Sequence, residues 1–190
     1  MLNNEYFDKI KKVLLEYAEK RREIIKMSDD ALHRSKQAIF ALHRDELEIA
    51  NNLLQEVENI LSAVEKKQEC DSGLTKEGAY NAGLEEYTEA YLFRQFLVGE
   101  ELSEVKKISV KPNIFVGGLA DVPGELYRYA IKSATVRDVV MVKKCQSVSE
   151  EIIKAMLDMN LTGYNRQKFD QAKQALSKIE KVVYELSLRD

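Results

Sequence analysis

Two short acidic pairs are the residues of this sequence whose type and spacing could support chemistry. Glu86 and Glu89 lie three residues apart in the stretch Leu-Glu-Glu-Tyr-Thr-Glu-Ala at 84–90. On a helix they share a face, and two such like charges repel each other unless a cation lies between them. The same face is otherwise apolar as far as Phe93, which favours an inward orientation. An acidic pair is more often a solvated helix face, so the spacing alone leaves both interpretations open.

The second pair is Asp121 and Glu125, which lie four residues apart and therefore also share one helical face. Further steps of three and four residues along that face reach Arg128 and Lys132. Small residues around the pair favour burial, where unpaired charges are costly. A salt-bridged stripe on the surface is an equally good interpretation of this pattern.

Together the two pairs would bring three or four carboxylate oxygens to one centre, which suits hard divalent cations such as Mg²⁺ or Mn²⁺. No histidine accompanies the acids in a Glu-x-x-His pattern, so a di-iron oxidase would lack its usual ligands. Phosphoryl chemistry is the better match, with a metal-activated water attacking phosphorus. His33 and His43 have no partner carboxylate in a triad-like pattern and are interpreted as structural or surface residues.

Basic residues are concentrated on the first predicted helix, where they alternate with acidic neighbours. Arg22, Lys26 and His33 share one helical face that could follow a phosphate backbone. A mixed, solvated face is the default interpretation. The net charge of -3 is not that of a dedicated nucleic-acid-binding domain, so any basic patch must be local.

The composition predicts one globular domain over 1–190, because a chain of 190 residues can bury one sizeable core. Eight glycines and two prolines are few chain breakers and leave room for long helices. The first turns are charged and unlike a signal peptide, and no apolar run is long enough to span a membrane. Cys70 and Cys145 lack metal-ligand spacing, which favours free thiols in a reducing compartment. We therefore expect a soluble, cytoplasmic protein.

The elements that must position the acids are all predicted to be helices. The spacing of apolar residues predicts an all-α bundle of about six or seven helices, with an unusually long first helix that frames the bundle or extends into a partner subunit. A connector at 106–116 carries the β-like alternation of Ile108 and Val110, interrupted by Pro112, which is well placed to begin a helix. The predicted helices are 3–44, 45–69, 75–99, 113–134, 135–163 (with a further start inside it) and 165–189.

Small residues in the fourth helix predict a close approach by another backbone, so this helix is expected to be central. They are Gly117, Gly118 and Gly124, and Pro123 among them is expected to kink the helix or free a carbonyl. Capping pairs predict the next starts, at Thr135 with Asp138 and at Ser147 with Glu150. Gly163 is expected to close the fifth segment.

Several segments, in order along most of the chain, resemble the translin superfamily and specifically its Trax (translin-associated factor X) branch. None is specific alone, but they fall in the expected order on predicted helices. They are Ile25-Lys26-x-Ser28, Ser35-Lys36-x-x-Ile39-Phe40-Ala41-Leu42-His43-Arg44, Gly83-Leu84-Glu85-Glu86-Tyr87-Thr88-Glu89-Ala90, Gly118-Leu119-Ala120-Asp121, Gly124-Glu125-Leu126-x-Arg128 and the last helix from Lys178 to Arg189.

The resemblance implies a translin-like helical bundle that assembles into hollow oligomers, often octamers, enclosing RNA. Trax-type subunits supply a Mg²⁺-dependent endoribonuclease, and translin-type subunits bind nucleic acid. The Trax catalytic acids match Glu86, Glu89 and Asp121, and Glu125 matches a further implicated acid. Translin-type chains lack this set, so its presence implies the catalytic type. Short segments between helices fit a prokaryotic or archaeal homologue that acts as a homo-oligomer.

The sequence therefore predicts an endoribonuclease that cleaves single-stranded or partly structured RNA, with single-stranded DNA as a second ligand. Mg²⁺ or Mn²⁺ would be held by the four acids, with Glu125 as a further ligand or as the residue that positions the attacking water. The alternatives are a non-catalytic, translin-like RNA-binding oligomer and a structural assembly whose acids only pair with bases. The residues expected to contact nucleic acid are Arg21, Arg22, Lys26, Arg128 and Lys132.

Overall fold

The computed structural model describes residues 3–69 and 78–188 of the chain. These residues form six helices and, within the described ranges, no strand. The prediction of an all-α bundle is thereby confirmed. The helices are α1 (Asn4–His43), α2 (Leu47–Glu69), α3 (Gly78–Val98), α4 (Pro112–Thr135), α5 (Val139–Leu157) and α6 (Gly163–Ser187).

Helix α1 has 40 residues and consists of two halves with different environments. Asn3 caps it, since its side chain accepts a hydrogen bond from the Tyr6 amide at 3.2 Å. From Ile24 onward, one side of the helix is buried in the core. The first half instead leaves a row of apolar side chains largely in solvent, namely Tyr6, Phe7, Ile10, Val13, Leu14 and Leu15. The long helix predicted from the sequence is therefore present, and its first half lies outside the core.

The bundle is built from two groups of three helices. α1 packs on α2 and α3, while α4 packs on α5 and α6, and α3 and α4 join the two groups. Aromatic and aliphatic side chains of these two central helices, such as Tyr87, Phe93 and Leu126, are fully buried. The prediction that the fourth helix is central is confirmed, because α4 contacts α3, α5 and α6.

Two neighbouring glycines allow α3 and α4 to come close. A Cβ atom at Gly118 would lie 2.7 Å from the backbone oxygen of Glu85 and 2.8 Å from Cβ of Thr88. A Cβ atom at Gly117 would collide with the Glu85 carboxylate. At Gly118 only glycine fits this approach, because the obstructing atom is backbone, whereas at Gly117 the Glu85 side chain would have to move. The close approach predicted from these small residues is confirmed. Gly124 has nothing within 4 Å of its would-be Cβ and plays no such part.

Helix boundaries in the second half of the chain differ in part from those predicted. Pro112 begins α4, as expected for a residue without an amide hydrogen, and α4 continues through Pro123. Thr135 is the last residue of α4, and Asp138 itself caps α5 by accepting a hydrogen bond from the Met141 amide at 2.9 Å. The capping pair predicted at Thr135 is therefore wrong, because the residue types that favour a cap do not reveal where the preceding helix ends.

Two further predictions for this region are corrected. α5 is continuous from Val139 to Leu157, so no helix starts at Ser147. Gly163 does not close a helix but begins α6, with a φ of 54° that favours glycine. The predicted start of the third helix at Thr75 and the residue Cys70 lie outside the described residues. Within 3–69 and 78–188, no helix combines the length and apolar character that a membrane crossing requires.

Candidate carboxylate site

The four acids predicted from the sequence lie at the seam between α3 and α4. Glu86 and Glu89 come from α3, and Asp121 and Glu125 come from α4. We call these four residues the carboxylate cluster. Glu89 is the most enclosed, with only 8% of its surface exposed. The close approach of the two helices at Gly117 and Gly118 is what brings the pairs together.

The two acids of α3 are held in an environment that disfavours their charge. Burial, together with the negative charges of Asp121, Glu86 and Glu125, raises the pKa of Glu89 to about 9. Burial also raises the pKa of Glu86, opposed by the charge of Lys36, whose Nζ lies 3.9 Å from the Glu86 carboxylate. The two residues therefore point inward, and the solvated-face interpretation of this pair is wrong.

Asp121 is engaged by a lysine from the last helix. Lys168 Nζ forms an ion pair with the Asp121 carboxylate and a second one, at 2.9 Å, with Glu85. Tyr164, one turn earlier on α6, donates its hydroxyl hydrogen to Glu85 at 2.6 Å. Burial raises the pKa of Asp121, while the hydrogen bond and charge of Lys168 oppose that rise. Burial lowers the pKa of Lys168, but hydrogen bonds to Asp121 and Glu85 raise it above its ordinary value overall.

Glu125 is engaged by two basic side chains. His43 Nε2, from the end of α1, contacts one carboxylate oxygen, and Arg128 donates to both oxygens at 2.8 and 3.1 Å. The imidazole lies against the ring of Phe93, with ring centroids 4.9 Å apart and the planes tilted by 38°. Burial raises the pKa of Glu125, but the hydrogen bond of His43 and the charge of Arg128 lower it overall. The sequence interpretation of His43 as a structural or surface residue did not include this carboxylate, because the partner comes from a distant helix, 82 residues away.

The two bases of α4 have different partners. Arg128 pairs with Glu125, which matches the salt-bridged interpretation of that part of the stripe. Lys132 instead donates to the backbone oxygen of His43 at 2.8 Å and forms an ion pair with Asp45. It thereby ties the turn after α1 to α4 and does not pair with the cluster acids.

The basic residues of α1 lie on its exposed side. Arg21, Arg22 and Lys26 are all exposed, and the Arg22 guanidinium donates to the backbone oxygen of Ala18 at 3.2 Å. Steps of three and four residues from Arg22 through Lys26 and His33 continue to Lys36, which stands beside Glu86. The basic face of α1 thus leads from the first half of the helix to the cluster, with Asp29 on the same face.

Glu86 and Asp121 of the cluster face a hollow of about 380 Å³ that α1, α3, α4 and α6 line. Its polar walls are Asn81, Glu85, Glu86, Asp121, Tyr164 and Lys168. Within the described parts of the chain, no three His, Cys, Asp or Glu side chains are already arranged around one metal position. The donors nevertheless fit a hard cation, because the acids are oxygen ligands whose mutual repulsion a cation would relieve.

Sequence reasoning missed Glu85, Tyr164, Lys168 and His43 as members of this site. Glu85 stands next to Glu86, but nothing in its spacing distinguishes it from a solvated residue. Tyr164 and Lys168 are four apart, so they share a face of α6. That pattern shows they can act together, but not that Lys168 meets Asp121, 47 residues away, or that Tyr164 meets Glu85, 79 residues away.

Comparison with known proteins agrees with this architecture. A family model described as the Translin family matches residues 19–190. The chain is 26% identical over 212 residues to the translin-associated protein X homolog of Schizosaccharomyces pombe, covering 98% of this chain and 89% of that protein.

Solved structures share the same fold. The structure described as apo-NeC3PO superposes with a TM-score of 0.87 at 20% identity, covering 98% of both chains. That of AfC3PO gives 0.88 at 23% identity, covering 97% of this chain and 98% of the other. A complex of AfC3PO with duplex RNA gives 0.87 at 22% identity, covering 97% of each chain.

Proposed function

Because the chain belongs to the translin family, we propose that it is a Trax-type, metal-dependent endoribonuclease subunit. The observation that carries the proposal is the carboxylate cluster itself. Four acids from two helices lie near one another in the seam between α3 and α4, and the pKa of Glu89 is raised to about 9 by burial and by the other three charges. Bringing like charges together away from water lowers the free energy of unfolding, and acids with such raised pKa values are concentrated at functional sites.

The resident ion would be Mg²⁺ or Mn²⁺, held by Glu86, Glu89 and Asp121. When bound, such an ion activates a water for attack and neutralises charge that develops on the phosphate oxygens. Glu125 is fixed by His43 and Arg128, so its carboxylate is oriented rather than free to swing. This geometry favours the role of positioning the attacking water over that of a primary ligand.

The proposed substrate is single-stranded or partly structured RNA. A relative of the same fold has been solved with duplex RNA. In this chain, the exposed basic face of α1 leads to Lys36 and the hollow, which gives a phosphate backbone a path to the cluster. Arg21, Arg22 and Lys26 would contact the backbone along that path, and Arg128 would do so beside the cluster. Lys132 would contribute through the field of its charge, since Asp45 already binds it.

Oligomeric assembly follows the family, whose members form oligomers. A hollow homo-oligomer, such as an octamer, would enclose the RNA and place several clusters around it. The exposed apolar row on the first half of α1 is the kind of surface that such an assembly covers.

The test is cleavage of a labelled RNA by the full chain, with and without Mg²⁺ or Mn²⁺. Glu89→Gln and Asp121→Asn should each lose about 100-fold or more of the cleavage rate, because an isosteric amide cannot supply the charge that the ion needs. Glu180→Gln, an exposed acid on α6, is the matched control and should cleave like the wild type. Metal-independent cleavage, or undiminished cleavage by folded variants, would contradict the proposal.

The alternative is a translin-like oligomer that binds RNA without cleaving it. It predicts salt-dependent RNA binding and no products with either metal. One labelled RNA therefore separates the two functions, since both its binding and its cleavage can be measured with each metal.

A further inference from the structure

Lys168 is a partly buried cation inside a site that is proposed to bind a different cation. Only 16% of its side chain is exposed, and its Nζ pairs at once with Asp121 and with Glu85. Its positive charge also acts on Glu86 and Glu89. The ammonium group of Lys168 thus partly neutralises the same acids that would bind a divalent ion.

The partners of Lys168 fall into two sets. Asp121 belongs to the carboxylate cluster, whereas Glu85 and Tyr164 are not among its four acids. Tyr164 donates to Glu85 at 2.6 Å, and Lys168 Nζ lies 5.3 Å from the centre of the Tyr164 ring. Lys168 therefore has partners besides Asp121.

Glu85 has partners outside the carboxylate cluster. Its carboxylate accepts the hydroxyl hydrogen of Tyr164 at 2.6 Å and lies in the space that the missing side chain of Gly117 leaves open. It therefore offers Lys168 a second partner that is not one of the four cluster acids.

We propose that Lys168 is the counter-ion of the metal-free cluster: it binds Asp121 in the place of the divalent ion, and metal binding transfers it to Glu85 and Tyr164. This inference rests on the proposed metal site and concerns what sets its affinity. Each ion bound must displace one internal ion pair, so Lys168 makes the site bind metal more weakly than its acids alone would. Lys168 is thus a positioning residue, acting through Asp121.

The experiment measures Mn²⁺ binding to the metal-free full chain by isothermal titration calorimetry, with no RNA present. Lys168→Met should lower the Kd about tenfold or more, since a positive charge in contact with a ligand is removed. Lys173→Met, on the same helix but exposed and paired with Asp170, is the matched control and should leave the Kd unchanged.

The decisive variant is the double substitution Lys168→Met with Glu85→Gln. It has the same net charge as the wild type and leaves no uncompensated acid at Glu85, so it also protects against a failure of Lys168→Met to fold. If Lys168 acts only through its field, the double variant binds Mn²⁺ like the wild type. If Lys168 competes for Asp121, the double variant binds Mn²⁺ more tightly than the wild type.

The outcomes separate this inference from the proposed function. If the wild type and the double variant both bind Mn²⁺ with the same Kd, the role proposed for Lys168 is contradicted and the proposed metal site is supported. Weaker binding by Lys168→Met also contradicts that role, because the lysine would then support the site. If no variant and no wild-type chain binds Mn²⁺, the metal site and this inference both fall. Tighter binding by the double variant, with Lys173→Met unchanged, supports the inference.

Discussion

The two halves of the carboxylate cluster are neutralised in different ways. On α4, Asp121 is paired with Lys168, and Glu125 is paired with His43 and Arg128. On α3, the cation near Glu86 is Lys36 at 3.9 Å, and the raised pKa of Glu89 keeps that residue protonated near neutral pH. One half is thus balanced by basic side chains, and the other by Lys36 beside Glu86 and by a proton on Glu89. The halves should therefore respond to different perturbations.

The largest effect is expected from pH on the α3 half. The pKa of Glu89 in the folded state is raised to about 9 from its ordinary value near 4.5, so between these values the folded state binds a proton that the unfolded state does not, and unfolding becomes easier as pH rises. The difference is worth at most about 1.4 kcal/mol for each unit of pKa. Glu89→Gln should remove most of this slope and be more stable than the wild type at about pH 8.5 without metal.

Chemical denaturation of both chains in the presence of a chelator, across this pH range, measures the effect. Asp170→Asn is the control, since that acid is exposed and its pKa is lowered by hydrogen bonds from Lys173. If the free energy of unfolding changes with pH equally in the wild type and in Glu89→Gln, Glu89 does not hold the proton that distinguishes the α3 half.

The second perturbation changes the distance between the halves. Gly118→Ala places a methyl group 2.7 Å from the Glu85 backbone oxygen, which cannot move without shifting α3. We expect a loss of about 3 kcal/mol in the free energy of unfolding, at the upper end for overpacking. Gly124→Ala, on the same helix with open space around it, should instead gain about 0.5–1 kcal/mol. Thermal or urea melts of the two variants compare them directly, and equal effects would contradict the close approach.

A smaller effect is expected from breaking the α4 half. His43→Ala removes a partner of Glu125 and the ring contact with Phe93, and should cost about 2 kcal/mol. His33→Ala is the matched control on the same helix, since His33 is exposed and contacts Gln37. It should change stability by less than about 0.5 kcal/mol. Urea denaturation measures both, and a neutral His43→Ala would show that Arg128 alone suffices for Glu125.

The smallest effect concerns the edge of the α3 half. Lys36→Gln should weaken RNA binding by under about 1 kcal/mol and reduce the salt dependence by about one phosphate contact. Lys9→Gln, near the start of α1 and paired with Glu5, is the control. Fluorescence anisotropy with a labelled RNA at two salt concentrations measures both variants. An unchanged salt dependence for Lys36→Gln would remove the end of the proposed phosphate path.

The helices and the acids were predictable because both depend on spacing within one segment. The periodic apolar residues predicted about six or seven helices, of which the described residues form six, and the spacing of Glu86 with Glu89, and of Asp121 with Glu125, predicted shared faces. The neutralising partners were not predictable in this way. Lys168 reaches Asp121 across 47 residues and His43 reaches Glu125 across 82, and such contacts depend on how the helices pack. The capping errors near Thr135 and Gly163 have the opposite origin, since several local patterns there compete for one boundary.

The exposed first half of α1 links the stability of this fold to the amount of protein present. An isolated chain leaves Tyr6, Phe7, Val13 and Leu14 largely in water. Association that covers them favours the folded state by mass action, so the apparent melting temperature should rise with chain concentration. Dilution should correspondingly lower the apparent melting temperature, with no change in solvent.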